Sequence, residues 1–339
     1  MVANEPLMDI YAVRMREYAW NGELWMRMIA VDMDGTLVGS DGRVSERNVA
    51  AIKAAERAGM EVVIATGRRH CYAMRVLRGL GLGEENALIS SNGTVTRTMG
   101  ARLMERALLP TMTALWLCGH VDEFRNALVM TFDKVGPDGE DERGALVVEQ
   151  MEELHGSIGK WMVANEPYIA QVVPMERALD KGESPIQMML CGTVERMQRA
   201  EARLLEHPGV SAVGVSAVAG LAGQELTGVE VALHRTEYPE RDLSIVDILP
   251  AGCSKGSALL RLATTRGVMT EEILAIGDNW NDVSMLEVAG RGVLMGNAPA
   301  GLKAMAAERG WAVGLRHDED GVAEAIEAVL EGRLASAGL

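Results

Sequence analysis

Four short runs of this chain are wholly apolar, and each stops at a polar residue. Ile29-Ala30-Val31 ends at Asp32, Val62-Val63-Ile64-Ala65 at Thr66, Ala87-Leu88-Ile89 at Ser90-Ser91-Asn92, and Leu274-Ala275-Ile276-Gly277 at Asp278. A strand with no polar face has to be covered on both sides, which a sheet with one wet face does not offer. Helical spacing recurs between the runs. Ser45–Ala58 carries Val49, Ile52 and Ala55 on one stripe, and Arg69–Leu80, Lys255–Thr264, Asp282–Ala289 and Val322–Leu330 repeat the style. The pattern predicts an α/β fold, a doubly wound, Rossmann-like parallel sheet with helices on both faces.

At 339 residues the chain exceeds what one hydrophobic core usually organises. Residues 98–249 differ in texture, with strands expected at Ala127–Phe132, Ala145–Val148, Ile186–Leu190, Val210–Val215, Val229–Leu233 and Ser244–Ile248. Helices are expected there at Met112–Val121 and Val194–Glu206, and Asp133–Gly144 reads as a surface turn. This stretch is read as an α+β cap domain inserted into a discontinuous core of residues 26–97 and 250–339. Residues 1–25 read as an extension of unassigned role. They are not a signal peptide, because Glu5, Asp9, Glu17 and Glu23 break any apolar stretch. The hexapeptide MVANEP occurs at Met1–Pro6 and again at Met162–Pro167, with no longer repeat around it.

Charge narrows the partners. With 48 acidic against 33 basic side chains, the net charge of −15 argues against nucleic acid and anionic membranes, which need a broad basic surface. A small phosphorylated metabolite remains compatible, since a few local cations override the global field. The longest weakly polar run, Val210–Gly223, is too short to span a bilayer. The four cysteines, at 71, 118, 191 and 253, form no CxxC pair and read as reduced thiols of a cytoplasmic protein. The oligomeric state is left open.

In open parallel sheets, ligands sit beyond the carboxyl ends of the strands, so the polar residues that end these runs are expected to meet. Each alone reads as a helix cap, but together their chemistry is complementary. Asp32 and Asp34 lie two apart, so on an extended strand end both carboxylates face one reacting group. One can act as nucleophile and the other as proton carrier. A calcium loop is excluded because Arg43 stands in its final acidic position. Asp278 and Asp282 add carboxylates that, with Asp32, suit one Mg²⁺. Thr66-Gly67-Arg68 lies where a helix start can receive phosphate, whereas Lys255 taken alone reads as a solvated surface lysine. Nucleophile, proton carrier, hydroxyl, cation and metal ligands are the inventory of phosphoryl transfer.

With these residues in order, the chain resembles the haloacid dehalogenase superfamily, and within it the Cof-type phosphatases. The motifs are Asp32-Met33-Asp34-Gly35-Thr36, Thr66-Gly67-Arg68, Lys255, and Gly277-Asp278 through Asn281-Asp282, with Leu37–Ile52 and Ser91-Asn92-Gly93 in support. The resemblance is close over 28–97 and 245–300 and rests on position and size in the middle. It implies a Mg²⁺-dependent phosphatase in which Asp32 attacks phosphorus and becomes an aspartyl-phosphate. Asp34 would protonate the leaving oxygen and then activate water. Lys255, Thr66 and Asn281 would hold the phosphoryl group, with Gly67, Asn92 and Arg68 beside them. The metal would be bound by Asp32, Asp278 and the carbonyl of Asp34, supported by Asp282. Asp34 must carry a proton when substrate arrives, so burial or carboxylate crowding is expected to raise its pKa from roughly 3.9.

Several rival patterns are present. Gly252-Cys253-Ser254-Lys255-Gly256 spells GxSxG, with Asp282 and His317 in the order a serine hydrolase requires, although no HGGG-like loop accompanies it. His70-Cys71 before Arg78 imitates a cysteine-phosphatase loop one residue too long, and Cys71 is expected to be a packed helix residue. Gly79-x-Gly81-x-Gly83 fails as a dinucleotide fingerprint. A phosphomutase shares every motif above. The inserted cap is expected to move over the site and to select the leaving group.

Overall fold

The computed structural model describes residues 26–136, 139–180, 182–211 and 228–333. Strand β1 (Met28–Val31) leads through helix α1 (Glu46–Arg57) to β2 (Glu61–Ala65), and α2 (His70–Leu77) leads to β3 (Ala87–Ser90). Strands β4 (Val95–Thr98) and β5 (Leu103–Arg106) follow. The chain then departs into α3 (Thr111–His120), β6 (Leu128–Thr131), β7 (Leu146–Val148), α4 (Glu152–Asn165), β8 (Ile169–Gln171) and β9 (Gln187–Gly192). It continues with α5 (Val194–Leu205), β10 (Val210–Ser211), β11 (Val231–Tyr238) and β12 (Leu243–Pro250). It returns as α6 (Lys255–Arg266), β13 (Ile273–Gly277), α7 (Val283–Val288), β14 (Arg291–Leu294), α8 (Ala300–Arg309), β15 (Ala312–Val313) and α9 (Gly321–Leu330).

Among the described residues the first sheet has the order β15-β14-β13-β1-β2-β3-β4-β5. It is parallel from β15 to β3 and antiparallel at β4 and β5. Both faces are covered, as the apolar runs require. Ile29, Val31, Val62 and Ile64 pack against Ile52, Ala73, Leu77, Val322 and Ile326 of α1, α2 and α9. Met28, Ala30, Val63 and Ala65 pack against Leu259, Met285, Leu286 and Leu302 of α6, α7 and α8. Strand order reverses beside β1, which lies between β2 and β13, so the crevice of a doubly wound sheet opens above Asp32 and Asp278.

The second sheet, β10-β11-β12-β9-β6-β7-β8, has its own apolar layers. Leu117, Met197 and Leu204 of α3 and α5 cover one face, and Leu154, Ile158 and Met162 of α4 cover the other. Some expectations needed correction. Strand β5 belongs to the first sheet although it falls after residue 98. Helix α4 escaped the periodicity because Gly156 and Gly159 interrupt it and Ile158 departs from helical geometry (φ −128°, ψ 37°). The stretch read as a surface turn contains a bridge from Val135 to Asp141, and Asp141 is buried. The expected strand Val210–Val215 is seen as β10, its last four residues lying outside the described ones, as do residues 1–25 with the first MVANEP copy. The second copy closes α4 and starts a 3₁₀ turn. All four cysteines are buried free thiols, and no described helix is long and apolar enough to cross a membrane.

Candidate active site

The ends of β1 and β13 bring the acidic residues together because the two strands are paired in register, Val31 with Ile276. The Asp32 amide continues that ladder, donating to the Ile276 carbonyl (3.0 Å). Gly35 then turns the chain back with φ +83°, and a Cβ there would overlap the Asp278 carboxylate. Asp32, Asp278 and Asp282 are all buried and offer oxygens within 4.8 Å of one another.

Lys255 binds this cluster. Its Nζ donates to Asp32 Oδ1 (2.5 Å) and Asp282 Oδ1 (2.6 Å), and the residue is fully buried. The lone-lysine reading as a solvated surface residue is therefore overturned: two carboxylates satisfy the charge inside the crevice. Burial pushes the Asp32 carboxyl up to about 7, with Asp282 adding to it and Lys255 opposing. Burial, then Asp32 and Asp282, push Asp278 well above the usual carboxylate range. Burial alone would lower Lys255, but Asp282 and Asp32 outweigh it and push it up. Asp282 also fastens its own loop, its Oδ2 accepting the amides of Asp278 (2.9 Å) and Asn279 (3.0 Å).

Asp34 departs from expectation. Its carboxylate turns to Arg68, which donates from Nε (2.7 Å) and Nη2 (2.5 Å), and the side chain is 42% exposed. The expected burial is absent, and its side chain does not join the three-carboxylate cluster. Thr66, buried after β2, accepts the Arg68 amide at Oγ1 (3.1 Å). Gly67 lies so close to the Asn92 side chain that a Cβ would stand 3.3 Å from it. Asn281 Nδ2 donates to Asn92 Oδ1 (3.0 Å). The predicted residues thus converge on the strand ends.

The serine-hydrolase pattern is overturned. Ser254 caps α6, its Oγ accepting the Ser257 amide (3.0 Å), while Asp282 holds Lys255 and His317 pairs with Asp318. Cys71 is a packed helix residue, donating to Asp141 (2.8 Å). Sequence reasoning missed Asn297, whose Nδ2 donates to the Gly35 carbonyl (2.8 Å) and Asp278 Oδ2 (3.2 Å). The same signal would have found it, since Val293-Leu294-Met295 is another apolar run before polar residues. It missed Asp247 as well, a buried carboxyl inside the apolar strand β12 that accepts from Asn92 Nδ2 (2.9 Å). Burial pushes Asp247 up to about 7, against the Asn92 bond and Lys255.

Three crowded, buried carboxylates with one ammonium among them leave excess negative charge, and hard oxygen donors of this kind fit Mg²⁺. Fold and site together define a doubly wound α/β protein with an acidic crevice at its strand ends. A family model described as haloacid dehalogenase-like hydrolase matches residues 29–326, and the chain belongs to that family, as a Cof-type phosphatase acting on phosphate monoesters. It is 30% identical to Phosphatase YwpJ of Bacillus subtilis over 90% of this chain and all of that one. It is 29% identical to Pyridoxal phosphate phosphatase YbhA of Escherichia coli over 83% of this chain and 91% of that one. A haloacid dehalogenase-like hydrolase structure from B. subtilis superposes with a TM-score of 0.64 at 27% identity, covering 89% of this chain and 99% of the other.

Proposed function

We propose that the chain is a Mg²⁺-dependent phosphatase of small phosphorylated metabolites, a sugar phosphate or similar, working through an aspartyl-phosphate on Asp32. The observation that carries the reading is the buried Asp32, Asp278 and Asp282 cluster around Lys255. Asp32, Asp278 and the Asp34 carbonyl would hold the ion with Asp282 in support, and the ion would supply charge neutralisation for an incoming phosphate dianion. Lys255 orients Asp32 by its bond to Oδ1, so the carboxylate is fixed before substrate arrives. Asp32 forms a bond to phosphorus as the ester P–O bond breaks, and the Asp34 proton passes to the leaving oxygen. Asp34 then takes a proton from water, whose oxygen attacks phosphorus and releases Asp32 and inorganic phosphate.

The Asp34–Arg68 pair bears on the first step. Both Asp34 oxygens are engaged by the Arg68 guanidinium, so the side chain has to leave that pair before it can reach the leaving oxygen. The phosphoryl dianion would compete for Arg68, freeing Asp34 to take a proton from solvent and then pass it to the leaving oxygen. The relative named for pyridoxal phosphate supports a small phosphate ester as substrate. The four free thiols support a cytoplasmic setting.

Screening phosphorylated sugars, nucleotides and vitamin-type cofactors with Mg²⁺ tests the reading directly. Asp32→Asn keeps the shape but not the nucleophile, and activity is expected to fall by about a thousandfold or more with the fold intact. Activity within about tenfold of wild type, or full activity in excess EDTA, would refute the assignment.

A further inference from the structure

Asp247 lies outside every motif of the site yet ends a buried hydrogen-bond chain that runs into it. Asn281 Nδ2 donates to Asn92 Oδ1 (3.0 Å), and Asn92 Nδ2 donates to Asp247 Oδ2 (2.9 Å). All three residues are buried, Asp247 and Asn92 at 5% and 1% exposure. Resting on the phosphatase reading, we infer that Asp247 is a positioning residue that fixes which way the Asn92 and Asn281 amides point, and so sets the face that Asn281 turns to the phosphoryl group.

Directionality makes the case. An amide has an oxygen and an NH₂ of nearly equal size, so a chain of two amides is satisfied equally well in either sense. Ionised, as it is above about pH 7, the Asp247 carboxylate removes the tie because it only accepts. With Asp247 at one end, the Asn92 NH₂ faces it, the Asn92 oxygen faces Asn281, and the Asn281 NH₂ gives one hydrogen to Asn92 and keeps its second for a further acceptor. Without that acceptor, Asn92 can rotate by half a turn about its last torsion, and Asn281 with it.

The backbone around Asn92 is already pinned. The Ser91 amide donates to the Arg68 carbonyl (2.9 Å) and the Asn92 amide to the Thr66 carbonyl (3.0 Å). Ser91 and Asn92 both take left-handed geometry, φ 48° and 53°, which non-glycine residues hold only when their surroundings impose it. Gly93 packs on the Ser254 carbonyl at the start of α6, where a Cβ would overlap. Main-chain position is over-determined, and the amide orientation is what remains to be set.

Asp247 also moves with the second sheet. It sits in β12, in register with His234 of β11 and Met189 of β9, while Asn92 follows β3 of the first sheet. The orientation of Asn281 is therefore tied to the seating of the second sheet on the first.

Calorimetric binding of inorganic phosphate to the full chain in Mg²⁺ tests this. Asp247→Leu is expected to weaken phosphate binding by about tenfold, and Asp247→Asn, which can still offer an oxygen, by about threefold. In an Asn92→Ala background Asp247→Leu should add almost nothing, because the group it acts through is gone. Steady-state kinetics on a hydrolysed ester should show KM rising with kcat little changed. Wild-type affinity in a folded Asp247→Leu, or an effect undiminished in the Asn92→Ala background, overturns the inference alone. If Asp247→Leu fails to fold, Asp247→Asn carries the same cycle, and additivity there overturns it equally. Absence of phosphate binding by the wild-type chain overturns the phosphate-site reading and this inference with it.

Discussion

Asp247 pays for its position in stability, and that cost depends on pH. Its carboxyl titrates at about 7 in the folded chain against an ordinary 3.8, chiefly through burial. Between those values the folded chain keeps a proton that the unfolded chain has lost, so stability falls as pH rises. The contribution is fully present below 3.8 and gone above about 7. Asn carries the same shape without the ionisation. Asp247→Asn should therefore be more stable than wild type at pH 8, with the difference shrinking towards pH 5, when urea unfolding is compared at both values. A stability difference independent of pH would contradict the assignment. The variant would then bind phosphate less well while being more stable at pH 8, which a purely structural role for Asp247 does not produce.

At the scale of elements, what could be read from the sequence follows from local chemistry. A polar residue directly after an apolar run is visible in one dimension, so Asp32, Thr66, Asn92 and Asp278 were legible before their meeting in space was known. Lys255 was legible only through the motif resemblance and not from its own position, since its burial depends on the two carboxylates that face it across the crevice. Arg68 was placed at the site, but its grip on Asp34 depends on a turn that no periodicity reports. The GxSxG pattern misleads for a reason the structure supplies: its second glycine serves packing. Gly256 lies against the Ser284 carbonyl at the start of α7, where a Cβ would overlap backbone, and its amide donates to Ser284 Oγ (3.0 Å). Gly256→Ala should push α6 away from α7 and displace the neighbouring Lys255. A loss of about 1–3 kcal/mol is expected by thermal or chemical unfolding, together with a fall in kcat. Gly119→Ala, on α3 with nothing near the added methyl, should be neutral or stabilising by up to about 1 kcal/mol. Equal behaviour of the two variants would show that the α6–α7 approach is not what Gly256 serves.

Across the whole molecule, α2 of the first sheet grips the second sheet unit through a graded set of contacts. Deepest is the buried ion pair of Arg69 with Asp141, joined by Asn165 from the second MVANEP copy and by Cys71. Nearer solvent, Arg75 donates to the Ala164 carbonyl (2.8 Å) and the Tyr168 hydroxyl (3.3 Å), and Arg78 to Glu140 (2.6 Å). On the other side Asn279 and Glu237 exchange two hydrogen bonds, at 3.0 and 3.1 Å, beside the acidic crevice. We expect the second sheet unit to act as a cap that opens for substrate exchange, and the exposed arginines to set how readily it does so. Exposed pairs contribute little to folding, typically up to about 1 kcal/mol, but that is enough to shift an open–closed balance severalfold. Arg75→Ala with Arg78→Ala should leave the fold intact and favour the open form. KM for a large phosphate ester should rise by about threefold or more, because contacts made only on closure are withdrawn. p-Nitrophenyl phosphate, too small to depend on those contacts, should change by less than about twofold. Raising ionic strength should reproduce only the Arg78 part of the effect, since Arg78 pairs with the Glu140 carboxylate whereas Arg75 bonds a neutral carbonyl and hydroxyl. An equal change for both esters would place these arginines in the chemistry of the site, and no change for either would mean that the rim contacts do not govern closure.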